Sequence, residues 1–203
     1  MCNLYQVKSS HTEIADFFDV IAEDFGANTA QEVYPGYPAP VVADGKVQSM
    51  HWGFPLQRKG AKGQPLKPKP VNNTRSDKLE SFFWRYSFEE RRCLIPVTSF
   101  AEAEGPKGRM TRTWFSMPDA PLFATAGIWR DTDEWGAAYS MVMTEANAQV
   151  AVVHNRMPLI LPPEAWSAWL NGSPAEAYDL CVPFSGPLEV DRTDTPWFRR
   201  KGA

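Results

Sequence analysis

The stretch CLIPVTSFAEA, residues 93–103, decides the fold of this chain. Its apolar and β-branched residues predict two consecutive strands, over residues 93–97 and 99–103. Further strands follow on the C-terminal side, separated by turns that contain Gly and Pro; they are predicted over 113–116, 122–129 and 137–144. The second half of the chain is therefore rich in strands.

The first half combines a helix with a hairpin. Ser10 and Glu13 form a capping-box pattern, and the apolar residues that follow recur at helical spacing, which predicts an amphipathic helix. Asp44-Gly45 predicts the tight turn of a hairpin. Residues 60–70 hold three prolines, two glycines and three lysines, which predict an exposed loop with extended stretches. The other predicted elements are strands over 3–7, 41–43 and 46–52 and helices over 77–86, 145–153 and 163–171.

Length and composition favour one domain over residues 1–203. The chain has 203 residues, of which 13% are aromatic, and this is enough material for one packed core. The order of elements predicts an α+β fold with a curved, mostly antiparallel, barrel-like sheet and peripheral helices. We expect a flexible C-terminal tail from about residue 192.

Cysteine usage indicates a reducing compartment. Cys2, Cys93 and Cys181 form no CxxC pair and no metal-ligand cluster, and their odd number argues against a disulfide framework. The N-terminal residues lack the pattern of a signal peptide, and no stretch is long and apolar enough for a membrane span. We therefore expect a cytoplasmic protein with neither a metal nor an organic cofactor, and a monomer.

The charge of the chain is unevenly distributed. The formal net charge is −3, which by itself argues against a nucleic-acid partner. Between residues 58 and 78, however, Asp77 is the only acidic residue among seven basic ones: Arg58, Lys59, Lys62, Lys67, Lys69, Arg75 and Lys78. The local field matters more than the net charge for binding a polyanion. A solvated surface loop is the alternative interpretation of this segment.

Cys2 is the most reactive candidate in the sequence. Removal of Met1 would leave Cys2 as the N-terminus, with an α-amine of pKa roughly 7.7–8.0 beside a thiol of pKa about 8.5. Such a 1,2-aminothiol condenses with an aldehyde to an imine, and the thiol then closes a thiazolidine ring. The alternative is that a cysteine at this position has no function.

Glu102 and His154 are candidates for proton transfer. Strand alternation places Glu102 on the same face as Phe100, where partial desolvation would raise the pKa of its carboxyl; the alternative is a solvent-facing position like that of Glu104. His154 lies just before Met157-Pro158, where the proline forces the chain out of helical geometry. At this junction it is either a general acid or base or a structural histidine.

Residues 72–77, Asn-Asn-Thr-Arg-Ser-Asp, are the third candidate segment. The amide of Asn73 can hold a substrate oxygen, and Arg75 can grip a phosphate. The alternative is that Asn73 or Ser76 merely caps the predicted helix.

Together these residues resemble one family, the SOS-response-associated peptidases (SRAP). The matching landmarks run in order along most of the chain: Met1-Cys2, Trp52-Gly53, residues 73–77, Arg92-Cys93-Leu94-Ile95-Pro96, Phe100-Ala101-Glu102, Ala126-Gly127-Ile128-Trp129 and His154-Asn155-Arg156-Met157-Pro158. The resemblance implies a SRAP-like fold and a sensor of abasic sites in single-stranded DNA that forms a thiazolidine crosslink during the SOS response. It implies autoproteolytic removal of Met1 as a second, peptidase activity, and association with the nucleoid when the protein is bound to DNA.

The resemblance also assigns roles to individual residues. Cys2 is the nucleophile, Asn73 holds the sugar, Glu102 manages the proton on the amine or the sugar, and His154 is a general acid or base in opening the sugar ring. The expected DNA contacts come from Arg75, Arg156, Trp52, Lys67 and Lys69.

Two alternatives remain at this point, and the sequence departs from the family pattern in three places. The alternatives are a thiol peptidase that uses Cys2 and His154, and a non-covalent module for single-stranded DNA. Asn3-Leu4 replace the usual Gly-Arg after Met-Cys, and Ala101 and Ala103 flank Glu102 where the family usually has Tyr and Trp. Asp77 stands where Glu is usual. These changes place the DNA-contact surface in question and leave the aminothiol intact.

Overall fold

The structure, a computed structural model, describes residues 2–23 and 31–198. Its strands are β1 (Tyr5–Gln6), β2 (Ile21–Ala22), β3 (Glu32–Val33), β4 (Pro38–Ala43), β5 (Lys46–Trp52), β6 (Phe54–Lys59), β7 (Pro65–Val71), β8 (Asn73–Arg75), β9 (Arg92–Val97), β10 (Ser99–Glu104), β11 (Thr111–Ser116), β12 (Phe123–Thr132), β13 (Gly136–Glu145), β14 (Arg156–Pro158), β15 (Ile160–Leu161) and β16 (Glu189–Pro196). The helices are α1 (His11–Phe18), α2 (Arg85–Glu90), α3 (Ala148–Ala151), α4 (Trp166–Asn171) and α5 (Pro174–Asp179), with 3₁₀ turns at Ser76–Lys78 and Pro163–Ala165.

A closed barrel of five strands forms the centre of the fold. β5, β4, β9, β12 and β13 follow one another by antiparallel pairing, and β13 then pairs with β5 in parallel, at Ala138↔His51 and Tyr139↔Trp52. The predicted α+β class with a mostly antiparallel, barrel-like sheet is confirmed. The barrel interior is packed with apolar side chains such as Met50, Ile95 and Met141, each 0% exposed and on the same face of the sheet as Trp52.

The stretch 93–103 joins the barrel to a second sheet. β9 lies in the barrel, whereas β10 lies in a five-stranded sheet of order β16-β11-β10-β1-β3. The change of sheet occurs at Thr98, whose backbone N–H donates to the Gln6 carbonyl (2.8 Å) and whose hydroxyl accepts from the Lys8 N–H (3.0 Å). This connection places the start of the chain beside the end of β10.

Local signals located α1 and the β4–β5 hairpin correctly. The Ser10 hydroxyl accepts from the Glu13 N–H, and the Glu13 carboxylate accepts from the Ser10 N–H, which is the expected reciprocal cap. Asp44 and Gly45 both have positive φ, as a tight hairpin turn requires.

Most of residues 60–70 are exposed, and residues 65–70 are extended, as predicted; the sequence did not reveal that this extended stretch pairs with β6 in a hairpin. β6 and β7 pair from Phe54↔Val71 to Lys59↔Pro65, and the Gly60 N–H donates to the Gln64 carbonyl (2.8 Å) to close the turn. In a two-stranded ribbon, the backbone N–H groups on the outer edge of each strand have no partner strand. The prolines of β7, which lack an N–H, are tolerated at such positions. We call β6–β7, residues 54–71, the basic hairpin.

The predicted helix over 77–86 is also wrong in most of its length. Only a 3₁₀ turn and the start of α2 fall in this range. The chain turns at Ser81, whose carbonyl accepts from the N–H groups of Trp84 and Arg85 (2.9 Å each). This turn packs Phe83 and Trp84 against Phe54, with ring centroids 6.3 and 5.4 Å away, so tertiary packing overrides the helical pattern.

The last strand extends into the segment for which the sequence predicts a flexible tail, and residues 199–203 of that predicted tail lie outside the described part of the chain. β16 pairs with β11 as far as Thr111↔Pro196, so residues 192–196 lie in a strand where we expected a flexible tail. The helix predicted over 145–153 shrinks to α3, and α5, with its Ser173–Glu176 capping box, was not predicted.

Candidate active site and nucleic-acid interface

Cys2 lies where the chain enters the second sheet, in a cluster with the buried side chains of Asn73 and Glu102 that we call the pocket. Its side chain is fully buried, and the next residues are fixed because the Ala101 N–H of β10 donates to the Leu4 carbonyl (2.9 Å). The Cys2 carbonyl accepts two further hydrogen bonds, from Nδ2 of Asn73 (2.7 Å) and Nδ2 of Asn72 (3.1 Å). The backbone on which the aminothiol would stand is therefore held in one position.

The two asparagines are positioned by the barrel. β8 begins at Asn73 and pairs in parallel with β13, at Met141↔Asn73. The Asn72 carbonyl accepts from the Met141 N–H and from Nε1 of Trp52, both at 2.9 Å. Oδ1 of Asn73 is buried and has no hydrogen-bond partner among the described residues. A buried amide oxygen of this kind is available to a ligand.

Glu102 approaches Cys2 from β10. Its side chain is only 3% exposed, as the alternation with Phe100 predicts, and burial raises the pKa of its carboxyl to about 7. Burial, and then the charge of Glu102, raise the pKa of the Cys2 thiol far above its usual range. Glu102 is therefore near its own midpoint at neutral pH, while the thiol stays protonated.

A layer of fully buried aromatic residues supports this pocket. The hydroxyl groups of Tyr5 and Tyr139 share a short hydrogen bond, and the Tyr5 ring packs edge-on against Trp52 with centroids 4.9 Å apart. The sequence placed Asn72 in a candidate segment but did not single out Tyr5 or Tyr139. The pair Tyr5 and Tyr139 is separated by 134 positions, so no local pattern could have revealed it.

Trp52 has a different place from the one predicted. We expected it to contact DNA, but its side chain is 0% exposed and leaves no surface for a base. It instead fixes Asn72 through its indole N–H. The adjacent Gly53 has φ +121°, and a Cβ there would come within 2.5 Å of Pro70, so this position needs glycine for β7 to pack closely.

His154 lies between α3 and β14 and is partly buried. Its Nδ1 is 3.0 Å from the backbone nitrogen and 3.1 Å from the carbonyl oxygen of Arg156, which fixes the ring. Burial is the main cause that lowers the pKa of this histidine, so the imidazole is neutral at pH 7. A neutral imidazole can accept a proton from a sugar hydroxyl.

Arg75 and Arg156 meet at the end of β13. Met143 pairs with Arg75 of β8 on one side and with Pro158 of β14 on the other. The two arginines line a groove of about 310 Å³, and each forms an ion pair with Asp77. Two guanidinium groups in one groove suit a phosphate.

Lys67 and Lys69 lie on β7 with exposed side chains. The basic hairpin also carries Arg58 and Lys59 on β6, so its surface is strongly positive. It leads directly into Asn72 and Asn73. A polyanion bound along it would approach the pocket of Cys2.

Three further observations bear on partners. The cysteines are all free thiols. Within residues 2–23 and 31–198 no cluster of three or more His, Cys, Asp or Glu side chains could hold a metal ion. In the same part of the chain, no helix is long and apolar enough to cross a bilayer.

Known proteins resemble this chain over most of its length. Among curated proteins, the abasic site processing protein YoaM of Bacillus subtilis is 27% identical over 91% of this chain and 86% of its own length. The abasic site processing protein YoqW of the same organism is 29% identical over 76% of each chain.

Solved structures share the fold. A protein from Bacteroides thetaiotaomicron superimposes with a TM-score of 0.78 at 22% identity, over 94% of this chain and 91% of that one. A protein from Bordetella bronchiseptica gives 0.79 at 20% identity, over 95% and 99%. The family model described as SOS response associated peptidase (SRAP) matches residues 1–195. The chain belongs to the SRAP family.

Proposed function

We propose that this protein captures abasic sites in single-stranded DNA through a covalent thiazolidine bond to Cys2, formed after Met1 has been removed. The observation that carries the proposal is that Asn72 and Asn73 fix the Cys2 carbonyl by two hydrogen bonds, while the buried Glu102 is near enough for its charge to act on the Cys2 thiol. The relatives named as abasic site processing proteins support the lesion as the target.

The reaction begins at the amine. Because burial keeps the Cys2 thiol protonated, the α-amine is the first nucleophile. It attacks the aldehyde carbon of the ring-opened deoxyribose, and the resulting carbinolamine loses water to give an imine. Glu102, with a pKa near 7, accepts a proton from the amine and returns one to the departing hydroxyl.

The thiol completes the ring. Its sulfur adds to the imine carbon, and its proton moves to the nitrogen, so the whole sequence consumes one aldehyde and releases one water. The Oδ1 of Asn73 has the position and the free lone pairs to hold a sugar hydroxyl during these steps. His154 assists in opening the sugar ring, and Arg75 and Arg156 bind the flanking phosphates.

A thiol peptidase is less well supported. Such an enzyme needs a thiolate, and both burial and the Glu102 carboxylate disfavour the thiolate of Cys2. A module that binds DNA without a covalent step would not need a carboxyl of pKa near 7 beside the thiol.

Intact mass measurement tests the proposal. The protein with Met1 removed is incubated with a single-stranded oligonucleotide that carries one abasic site, and we expect an adduct equal to protein plus DNA minus one water. Cys2→Ala and Cys2→Ser both abolish the adduct that is stable without reduction, because neither can close the ring; each keeps the α-amine and gives only an imine, which borohydride traps.

The matched control is the same protein with an N-terminal extension, which blocks the amine and leaves the thiol. It should form no adduct. An adduct that survives this block would contradict the proposal, as would cleavage of a peptide substrate without any adduct.

A further inference from the structure

Asp77 occupies the place between the two phosphate-binding arginines. Its Oδ1 accepts from Nε of Arg75 (2.8 Å) and its Oδ2 accepts from Nη2 of the same side chain (2.5 Å). Nη1 of Arg156 lies 3.9 Å from Oδ1. A single carboxylate is therefore the shared partner of both guanidinium groups.

The contact uses the part of Arg75 that would bind DNA. Nε and Nη2 form the planar fork that matches two oxygens of a carboxylate or of a phosphate. With Asp77 on this fork, a phosphate cannot make the same bidentate contact. The 3₁₀ turn over Ser76–Lys78 keeps the carboxylate next to Arg75, only two positions away in the chain.

The contact is also easy to exchange. The side chains of Arg75 and Asp77 are 45% and 46% exposed, and exposed ion pairs contribute little to stability because water screens them. Hydrogen bonds from Arg75 lower the pKa of Asp77, so the carboxylate is charged at neutral pH. Glu145 also lines the groove.

We propose that Asp77 is a specificity-determining residue: an internal stand-in for a DNA phosphate that single-stranded DNA must displace from Arg75 and Arg156. The inference rests on the proposed function, since it takes the two arginines to bind phosphate.

The consequence is discrimination against undamaged DNA. Every single strand offers phosphates, so contacts to phosphate alone cannot distinguish a lesion. Competition from Asp77 weakens this non-specific binding. An abasic site is then retained by the covalent bond to Cys2, which does not depend on the arginines once it has formed.

The test is binding of undamaged single-stranded oligothymidine to Asp77→Asn, measured by fluorescence anisotropy across a salt series. We expect about three- to tenfold tighter binding at low salt. Asparagine has the shape of aspartate but no charge, so it leaves Nε and Nη2 of Arg75 available to a phosphate. The plot of log affinity against log salt should steepen by about 0.7, the value for one added phosphate contact on a single strand.

Glu89→Gln is the matched control. Glu89 pairs with Arg85 on α2 in a similarly exposed ion pair, so this change removes the same charge outside the groove and should leave affinity unchanged. In an Arg75→Ala background, Asp77→Asn should give a much smaller gain, because the fork is absent. An excess of undamaged strand should also protect an abasic oligonucleotide from crosslinking to Asp77→Asn more than from the wild type.

Unchanged or weaker binding by Asp77→Asn overturns the inference, because Asp77 would then be a spectator or an organiser of Arg75. A gain in affinity for undamaged single-stranded DNA equal to the gain of Glu89→Gln overturns the inference too. The proposed function is judged separately, by whether the wild type forms the adduct with abasic DNA, so its failure is distinguishable from that of the inference.

Discussion

In the pocket around Cys2 the side chains are buried and joined by hydrogen bonds, whereas on the basic hairpin they are exposed and surrounded by water. Cys2, Asn73 and Glu102 are at most 9% exposed, and each is held by strands of the barrel or of the second sheet. Lys67 and Lys69 lie on a ribbon that pairs with neither sheet.

The difference separates two tasks. Groups that move protons need fixed positions and a shifted pKa, and burial provides both. Groups that attract a polyanion need charge at the surface, and they act in a way that salt screens. We therefore expect changes in the pocket to alter the rate of the chemical step, and changes on the hairpin to alter only affinity.

The largest effect on rate should come from Glu102→Gln. Loss of a general acid and base of pKa about 7 should slow crosslinking at saturating abasic DNA by about 100-fold. In the wild type, ionisation of Glu102 should make the rate rise as the pH passes through 7. The variant should retain only the later rise, at about pH 8, from the α-amine. Single-turnover rates between pH 6 and 9 measure both features.

Glu104→Gln is the control for this prediction. Glu104 lies two residues further along β10, where it accepts from Thr113 and Arg192, and its loss should change the rate by less than about twofold. Equal rate losses in the two variants would show that the effect reflects the strand rather than the buried carboxyl.

The next largest effect should come from Asn73→Ala. It removes the shorter hydrogen bond to the Cys2 carbonyl, and we expect crosslinking to slow by about tenfold and the free energy of unfolding to fall by about 1–3 kcal/mol. Asn72→Ala should do less, because its hydrogen bond is longer and its amide is shared with Asn3. Thermal unfolding and single-turnover rates measure the two quantities.

The order of these two variants is the informative result. If Asn72→Ala crosslinked as slowly as Asn73→Ala, the crosslinking rate would depend on the overall packing of the pocket and not on the Asn73 amide that holds Cys2. A variant that unfolds early but crosslinks at the normal rate would count against a positioning role.

Local patterns in the sequence carried much of the fold and part of the site. Caps and turns are short-range signals, so they located α1 and the β4–β5 hairpin. Strand alternation allowed the burial of Glu102 beside Phe100 but did not decide it against a solvent-facing position. The barrel closure by β5 and β13 is a parallel pairing between distant segments, and no local pattern specifies it.

The failures have the same origin. Trp52 is an aromatic residue in a chain expected to bind DNA, and only the tertiary structure shows that its indole faces Asn72 from inside the barrel. Likewise, Asp77 looks like an exception in a basic segment until the 3₁₀ turn places it on Arg75. Residue type alone does not tell whether a side chain contacts DNA or another residue of the same chain.

The smallest effect should come from the double variant Lys67→Ala and Lys69→Ala. Each lysine that contacts a phosphate adds about 0.7 to the salt slope on a single strand, so the slope should fall by about 1.4 and affinity by about threefold at moderate salt. Crosslinking at saturating DNA should proceed at the wild-type rate, because neither lysine approaches the buried pocket. Lys107→Ala with Arg109→Ala, in the turn between β10 and β11, removes the same charge elsewhere and should leave the slope unchanged. A slower chemical step in the hairpin variant would mean that the exposed ribbon also positions the sugar, and the division between a fixed pocket and an attracting surface would fail.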